Sequence, residues 1–211
     1  MMPLVLASTS PRRKELLALL QLPIEVVEPG FDERIHAEVP PEAQAWTFAL
    51  GKAKSCAKRR ADSLVLGSDT LIAVGETILG KAADRAQANA MLRRLRGRAH
   101  RIYTAVALCC DARKIQDVAV ETVQVWMKPF SDADLEAYLA SGEWQGKAGA
   151  YSIQGRGGSL IERIEGDYTA AVGLPLRLTA SLLKKHGLSV PVDVERLYRT
   201  KPYPNWATFQ G

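Results

Sequence analysis

Two long strand-like stretches, His100 to Cys110 and Ile115 to Met127, flank the turn Asp111-Ala112-Arg113-Lys114 and constrain the fold more than anything else in the chain. Strands joined by so short a turn pair antiparallel. Upstream the pattern differs, with short apolar runs alternating with helical ones. Pro3 to Ala7 (PLVLA) reads as a buried strand, Lys14 to Leu20 as a helix and Ile24 to Val27 as a second strand. A helix follows from about Pro41 to Ala61, with Trp46, Ala49, Leu50, Ala53 and Ala57 at near-helical spacing. Ser63 to Gly67 (SLVLG) is continuously apolar and reads as a central strand. Alternation asks for parallel pairing and the long strands for antiparallel pairing. Together they predict an α/β fold: a mixed twisted sheet flanked by helices.

The remaining segments fit that plan. Leu71 to Val74 and Thr77 to Leu79 read as a hairpin around Gly75-Glu76, and Asp84 to Leu95 as a helix closed by Gly97. Ser131 to Asp134 opens a further helix in capping-box style, ended by Gly142. Leu160 to Glu165 and Tyr168 to Val172 read as strands around Gly166-Asp167, and Leu174 to His186 as the last helix. With no repeat or flexible linker, residues 1–188 read as one domain, two lobes around a cleft. Residues 189–211 form a C-terminal extension. Its Tyr198, Tyr203, Trp206 and Phe209 favour packing, because so many aromatics are costly in water.

Composition excludes several classes. At 47% apolar and 24% charged residues the chain is a globular protein without low-complexity segments. No apolar run approaches the ~20 residues of a membrane span, and the start lacks a signal peptide's pattern. A cytoplasmic protein is the expectation. Cys56, Cys109 and Cys110 lack metal-ligand spacing and read as buried inert thiols. The net charge of +5 suits an anionic partner without saying which. Basic residues are scattered and do not alternate with aromatics, so no specific nucleic-acid binding is expected.

The chemistry-bearing residues lie at the carboxyl ends of the early strands, where open α/β sheets bind ligands. After the first strand comes Ser8-Thr9-Ser10-Pro11-Arg12-Arg13. Ser10 suits an N-cap and Pro11 the first helical turn, so the loop ends in amides and a dipole that attract anions. Two adjacent arginines add forks that match phosphate oxygens. An ordinary capped helix with solvated arginines is the rival reading. Asp69, past the apolar strand, is either a catalytic or metal-holding carboxylate or a turn cap. Glu33, after the second strand, is a similar candidate or a solvated acid. Lys81 follows Gly80 at the foot of the hairpin and either neutralises a phosphate or is solvated, and Lys52 carries the same alternatives. Gln154, in a glycine-rich segment, either reads a base edge or is a turn amide.

Taken together, these segments resemble the Maf, or septum-formation-inhibitor-like, family. The resemblance is carried in order by STSPRR (8–13), Phe31-Asp32-Glu33, Gly51-Lys52-Ala53, Gly67-Ser68-Asp69-Thr70, Leu79-Gly80-Lys81, Gly97 with His100 and Tyr103-Thr104, KAGAYSIQG (147–155) and Val172-Gly173-Leu174-Pro175-Leu176. It spans about residues 3–187. It implies a fold like that of the inosine-triphosphate pyrophosphatases and hydrolysis of a nucleoside triphosphate to the monophosphate and pyrophosphate. The KAGAYSIQG segment resembles the branch acting on dTTP and UTP rather than the one acting on 7-methyl-GTP.

Carried over, the resemblance implies catalysis by Asp69 with Glu33 and Lys81, and a divalent cation (Mg, Mn or Co) on Glu33 and Asp69. Ser8, Ser10, Arg13, Lys52 and Lys81 would hold the triphosphate, and Arg12, Thr70 and Gln154 would select the base. Three departures stand out: Ala82 in place of a usual proline, Trp144-Gln145-Gly146 where Pro-x-Asp is common, and the extension. The alternatives are a 7-methyl-GTP enzyme and a non-catalytic, nucleotide-binding regulator of division. Oligomeric state stays open, a homodimer included.

Overall fold

Seven strands build one mixed sheet in the computed structural model, which describes residues 2–209. They are β1 (Leu4–Ala7), β2 (Ile24–Val27), β3 (Leu64–Val74), β4 (Thr77–Leu79), β5 (Ala99–Cys110), β6 (Ile115–Met127) and β7 (Ile161–Glu165). Their order is β2-β1-β3-β5-β6-β7, with β4 also on β3. β2, β1 and β3 pair in parallel, and everything from β3 onward pairs antiparallel. The helices are α1 (Pro11–Ala18), α2 (Pro41–Ala57), α3 (Arg85–Leu95), α4 (Asp132–Ala140), α5 (Tyr168–Val172), α6 (Leu176–Lys185) and α7 (Val194–Thr200). No described helix is long and apolar enough to cross a membrane.

Strand periodicity sends alternate residues to opposite faces. Val5, Ala7, Val65, Ala73, Ala105 and Ala107 form one core with Ala45, Phe48, Ala49 and Ala53 of α2. Leu4, Leu6, Leu64, Leu66, Val106 and Leu108 form the other with leucines of α1, α3 and α6. The small residues on the first face let α2 approach closely. A Cβ added at Gly67 would lie 2.3 Å from the Ala49 carbonyl oxygen, so only glycine fits there.

β1 stops at Ala7, opposite Gly67, while β3 runs on to Val74. β4 takes up β3 again only at Ile72. Among the described residues, Ser68 to Leu71 therefore has a ladder partner only on the β5 side. Asp69 and Thr70, on this open stretch of edge, line a cleft.

Three expectations are corrected. Ser68-Asp69-Thr70 is not a loop past a strand: β3 continues through it, with Asp69 opposite Ala105. Tyr168 to Val172 is helical, because Asp167 caps it by accepting from the Thr169 and Ala170 amides. α2 ends at Ala57 rather than near Ala61. The cysteines are free and buried, and burial pushes the Cys109 thiol up to about 11, consistent with an inert residue.

The extension packs onto the body of the protein. Trp206 and Phe209 are buried and both stack on Tyr168, while Tyr198 meets Trp206 edge-on. The Tyr198 hydroxyl donates to Asp167 at 2.6 Å, and that of Tyr168 donates to the Pro204 carbonyl.

Candidate active site

Where β1 ends, the chain turns directly into α1. Ser8 is buried, and its Oγ accepts from the Ser10 amide at 3.2 Å. Ser10 caps the helix by accepting from the Arg13 amide at 3.5 Å. The two arginines then diverge. Arg13 Nε donates to the Gly173 carbonyl at 3.0 Å and its Nη2 to Thr70 Oγ1 at 3.2 Å. Burial lowers the Arg13 pKa, with Asp69 and Glu33 opposing and Arg12 adding to the effect. Arg12 lies instead beside Glu15 and Tyr203, whose influence opposes a burial effect of the same sign.

Alternation along β3 separates three adjacent polar side chains. Asp69 shares the face of Val65 and Ala73 and so meets α2. Lys52 Nζ lies 2.6 Å from Asp69 Oδ1 and 2.5 Å from Glu33 Oε1. Close backbone contact at Gly67 makes this reach possible. Lys52 and Asp69 are both nearly fully buried, and Asp69 Oδ2 has no hydrogen-bond partner among the described residues. Although burial raises the Glu33 pKa, Lys52, Lys81 and Arg13 outweigh it and hold the carboxyl below its ordinary value.

Ser68 and Thr70 take the opposite face. Ser68 Oγ donates to the Gly173 carbonyl at 3.2 Å, the same oxygen that Arg13 uses. Thr104 Oγ1 is the donor toward both the Ala170 carbonyl at 2.8 Å and Thr70 Oγ1 at 3.1 Å, so the Thr70 hydroxyl oxygen is an acceptor there. It accepts from Arg13 as well.

A cleft of about 470 Å³ wraps this open edge, within the ~300–1,000 Å³ usual for ligand pockets. All ten candidate positions line it: Ser8, Ser10, Arg12, Arg13, Glu33, Lys52, Asp69, Thr70, Lys81 and Gln154. Lys81 is brought in by an antiparallel bridge to Ala148. Beyond it, the Gly149 amide bonds to the Leu79 and Gly80 carbonyls. Gln154 precedes a 3-10 turn (Gly155–Leu160) whose Arg156 amide is bonded by Glu143. Trp144, one of the departures, points into the core, and Gly146 lines the cleft in its place.

Sequence reasoning passed over two lining residues. Lys147 lines the cleft together with Arg12, and burial and that neighbour both lower its pKa. Its position at the head of KAGAYSIQG was the available signal. Tyr151 is buried, with its hydroxyl 2.7 Å from His100 Nε2, and burial pulls the His100 pKa down to about 4. That histidine is neutral at pH 7. Nothing local in the sequence pairs these two residues.

The donor set fits a divalent cation held jointly with a substrate. Asp69 Oδ2 is an orphaned buried carboxylate oxygen, and Glu33 reaches the same lysine as Asp69. Magnesium is commonly held by one or two carboxylates plus substrate phosphates. No cluster of three or more His, Cys, Asp or Glu able to hold a metal occurs among the described residues.

A family model described as Maf-like protein matches residues 3–186. The chain belongs to the Maf family. A dTTP/UTP pyrophosphatase of Pelotomaculum thermopropionicum is 42% identical over 190 residues, covering 90% of this chain and 100% of that protein. Those of Moorella thermoacetica and Myxococcus xanthus are each 44% identical, covering 90% and 89% of this chain and 98% and 94% of their own. Among solved structures, the Ham1 protein of Staphylococcus aureus is similar over 94% of this Maf chain and 97% of its own, at 16% identity and a TM-score of 0.46. Residues 187–211 lie beyond the match to the Maf model.

Proposed function

We propose that this protein hydrolyses dTTP and UTP to the monophosphate and pyrophosphate. One observation carries the reading: Asp69, with one oxygen on Lys52 and the other unpartnered, lies in a cleft lined by Arg12, Arg13, Lys52, Lys81 and Lys147. A triphosphate is the polyanion that such a surface neutralises, and the names of the relatives point to the two pyrimidines. On the same reading the enzyme works in the cytoplasm, where its substrates are.

Water adds across the anhydride between the α and β phosphates. Its oxygen bonds to phosphorus, the bridging P–O bond breaks, and Asp69 Oδ2 accepts the released proton. Lys52 fixes the Asp69 carboxylate through Oδ1 and leaves Oδ2 for that task. Arg13, braced by Gly173 and Thr70, and Lys81 stabilise charge on the departing pyrophosphate without having to reorganise. Glu33 and Asp69 would hold a divalent cation, which supplies charge neutralisation and a more acidic water. Chelation is expected to abolish pyrophosphate release, and added Mg²⁺, Mn²⁺ or Co²⁺ to restore it.

The test is a panel of dTTP, UTP, dCTP, ATP, GTP and 7-methyl-GTP with both products identified. dTTP and UTP are expected to give the highest kcat/KM. Gln154 offers one donor and one acceptor to O4 and N3–H, whereas cytosine reverses both, so that against a fixed amide neither bond forms. A preference for 7-methyl-GTP overturns the base assignment, and absence of any pyrophosphate release overturns the enzyme.

The two arginines separate under substitution. Arg12→Ala should lower kcat/KM about 10- to 100-fold, the worth of one charge-assisted contact, with the melting temperature held. Arg13→Ala should lower both, since two native hydrogen bonds disappear with it; about 5 °C is expected for a chain of this size. An Arg13→Ala protein with native melting temperature would show that those bonds do not stabilise the fold.

A further inference from the structure

Gln154 discriminates a uracil-type edge only if its amide is held one way round, because a flipped amide presents the reverse pattern. Thr70 does not hold it: its Oγ1 accepts from both Arg13 and Thr104, and no hydrogen bond joins it to Gln154 among the described residues. The C-terminal extension provides another partner. Tyr203 is buried, and its hydroxyl donates to Glu15 Oε2 at 2.5 Å. A carboxylate only accepts, so the phenol proton is committed to Glu15 and the oxygen lone pairs remain free. Two residues on, Asn205 Nδ2 donates to the carbonyl of Ile153, the residue before Gln154, at 3.0 Å. Trp206 and Phe209 anchor this stretch on Tyr168. Burial and Glu15 push the Tyr203 hydroxyl up to about 12. Gln154 acts in the opposite sense, as an N–H directed at the phenol oxygen does.

We propose that the extension forms the back of the base pocket: Tyr203, its proton taken by Glu15, accepts from Gln154 Nε2 and so turns Gln154 Oε1 toward a base that carries an N3–H. The inference rests on the pyrophosphatase reading for the class of ligand, but it concerns residues outside the Maf match. Tyr203 is a positioning residue, acting through Gln154. Asn205 fixes the backbone on which Gln154 turns.

The experiment measures binding, so it does not require turnover. Affinities for the α,β-imido analogues of dUTP and dCTP are compared by calorimetry, alongside melting temperature, in the wild type and in Tyr203→Phe. The wild type is expected to favour the dUTP analogue. The variant should lose about tenfold of that preference, the worth of one orienting hydrogen bond, with its melting temperature within a few degrees. In a Gln154→Ala background the same substitution should change the preference less than about twofold, since the orienter acts through the amide. Glu15 is exposed, so Glu15→Ala interrupts the relay without touching the core and should also lower the preference.

An unchanged preference in both single variants overturns the inference, as does an equal change with and without Gln154. A wild type that binds the two analogues equally overturns it together with the base assignment. Selective binding without pyrophosphate release leaves the inference standing and overturns only the enzymatic reading.

Discussion

Asp69→Asn is expected to lower kcat for dTTP by at least about 10²-fold, the scale of a lost general base. The amide keeps the shape of the carboxylate but neither accepts the proton nor holds a cation as strongly. Its effect on stability is the more telling part. Lys52 is nearly fully buried and lies on two carboxylates, Asp69 at 2.6 Å and Glu33 at 2.5 Å. Removing one of them leaves the ammonium with Glu33 alone, a milder case than the ~3–5 kcal/mol of a buried pair broken outright. The variant should therefore fold and melt several degrees lower. It should also bind nucleotide at least as well as the wild type, since a negative charge beside the triphosphate has been removed. Steady-state release of pyrophosphate, nucleotide titration and thermal unfolding together check this. Activity within a few-fold of wild type would remove Asp69 from the mechanism. A full loss of nucleotide binding would mean that its role is assembly of the cleft rather than proton transfer.

How Asp69 is held shows what the sequence could and could not disclose. The residue itself was legible, as were Ser8 to Arg13 and the Ser131 capping box, because each depends on neighbours a few positions away. Its setting was not. Ser68-Asp69-Thr70 has the polar composition of a loop, and only the ladder to Ala105 and Thr104 of β5 keeps it extended. That pairing spans more than thirty residues of chain, and it alone sends Asp69 to Lys52 and Thr70 to Arg13. Tyr168 to Val172 failed for the opposite reason. A short apolar run has no decisive period, and the cap from Asp167 decided it. The contact of Tyr203 with Glu15 joins two ends of the chain and has no local signal at all.

Trp206→Ala is expected to destabilise the protein by about 3–5 kcal/mol, the usual cost of emptying a large aromatic site. For a chain of this size that corresponds to a fall in melting temperature of about 10 °C or more. The ring is 3% exposed and sits between two tyrosines, stacked on Tyr168 at 5.8 Å and edge-on to Tyr198 at 4.9 Å. Both partners belong to one network around Asp167, which caps α5 and accepts from Tyr198. α5 ends at Gly173, whose carbonyl braces Arg13 and Ser68. Loosening the extension therefore reaches the phosphate side of the cleft through α5 and the base side through Asn205. Trp206→Phe keeps a stacked ring and should recover most of the loss. Circular dichroism melts of the three proteins decide the matter. A Trp206→Ala protein melting within about 2 °C of wild type would show that the extension adds nothing to the core. A large drop, with kcat/KM for dTTP falling at temperatures where the fold is still intact, would show that fold and cleft share this one aromatic seam.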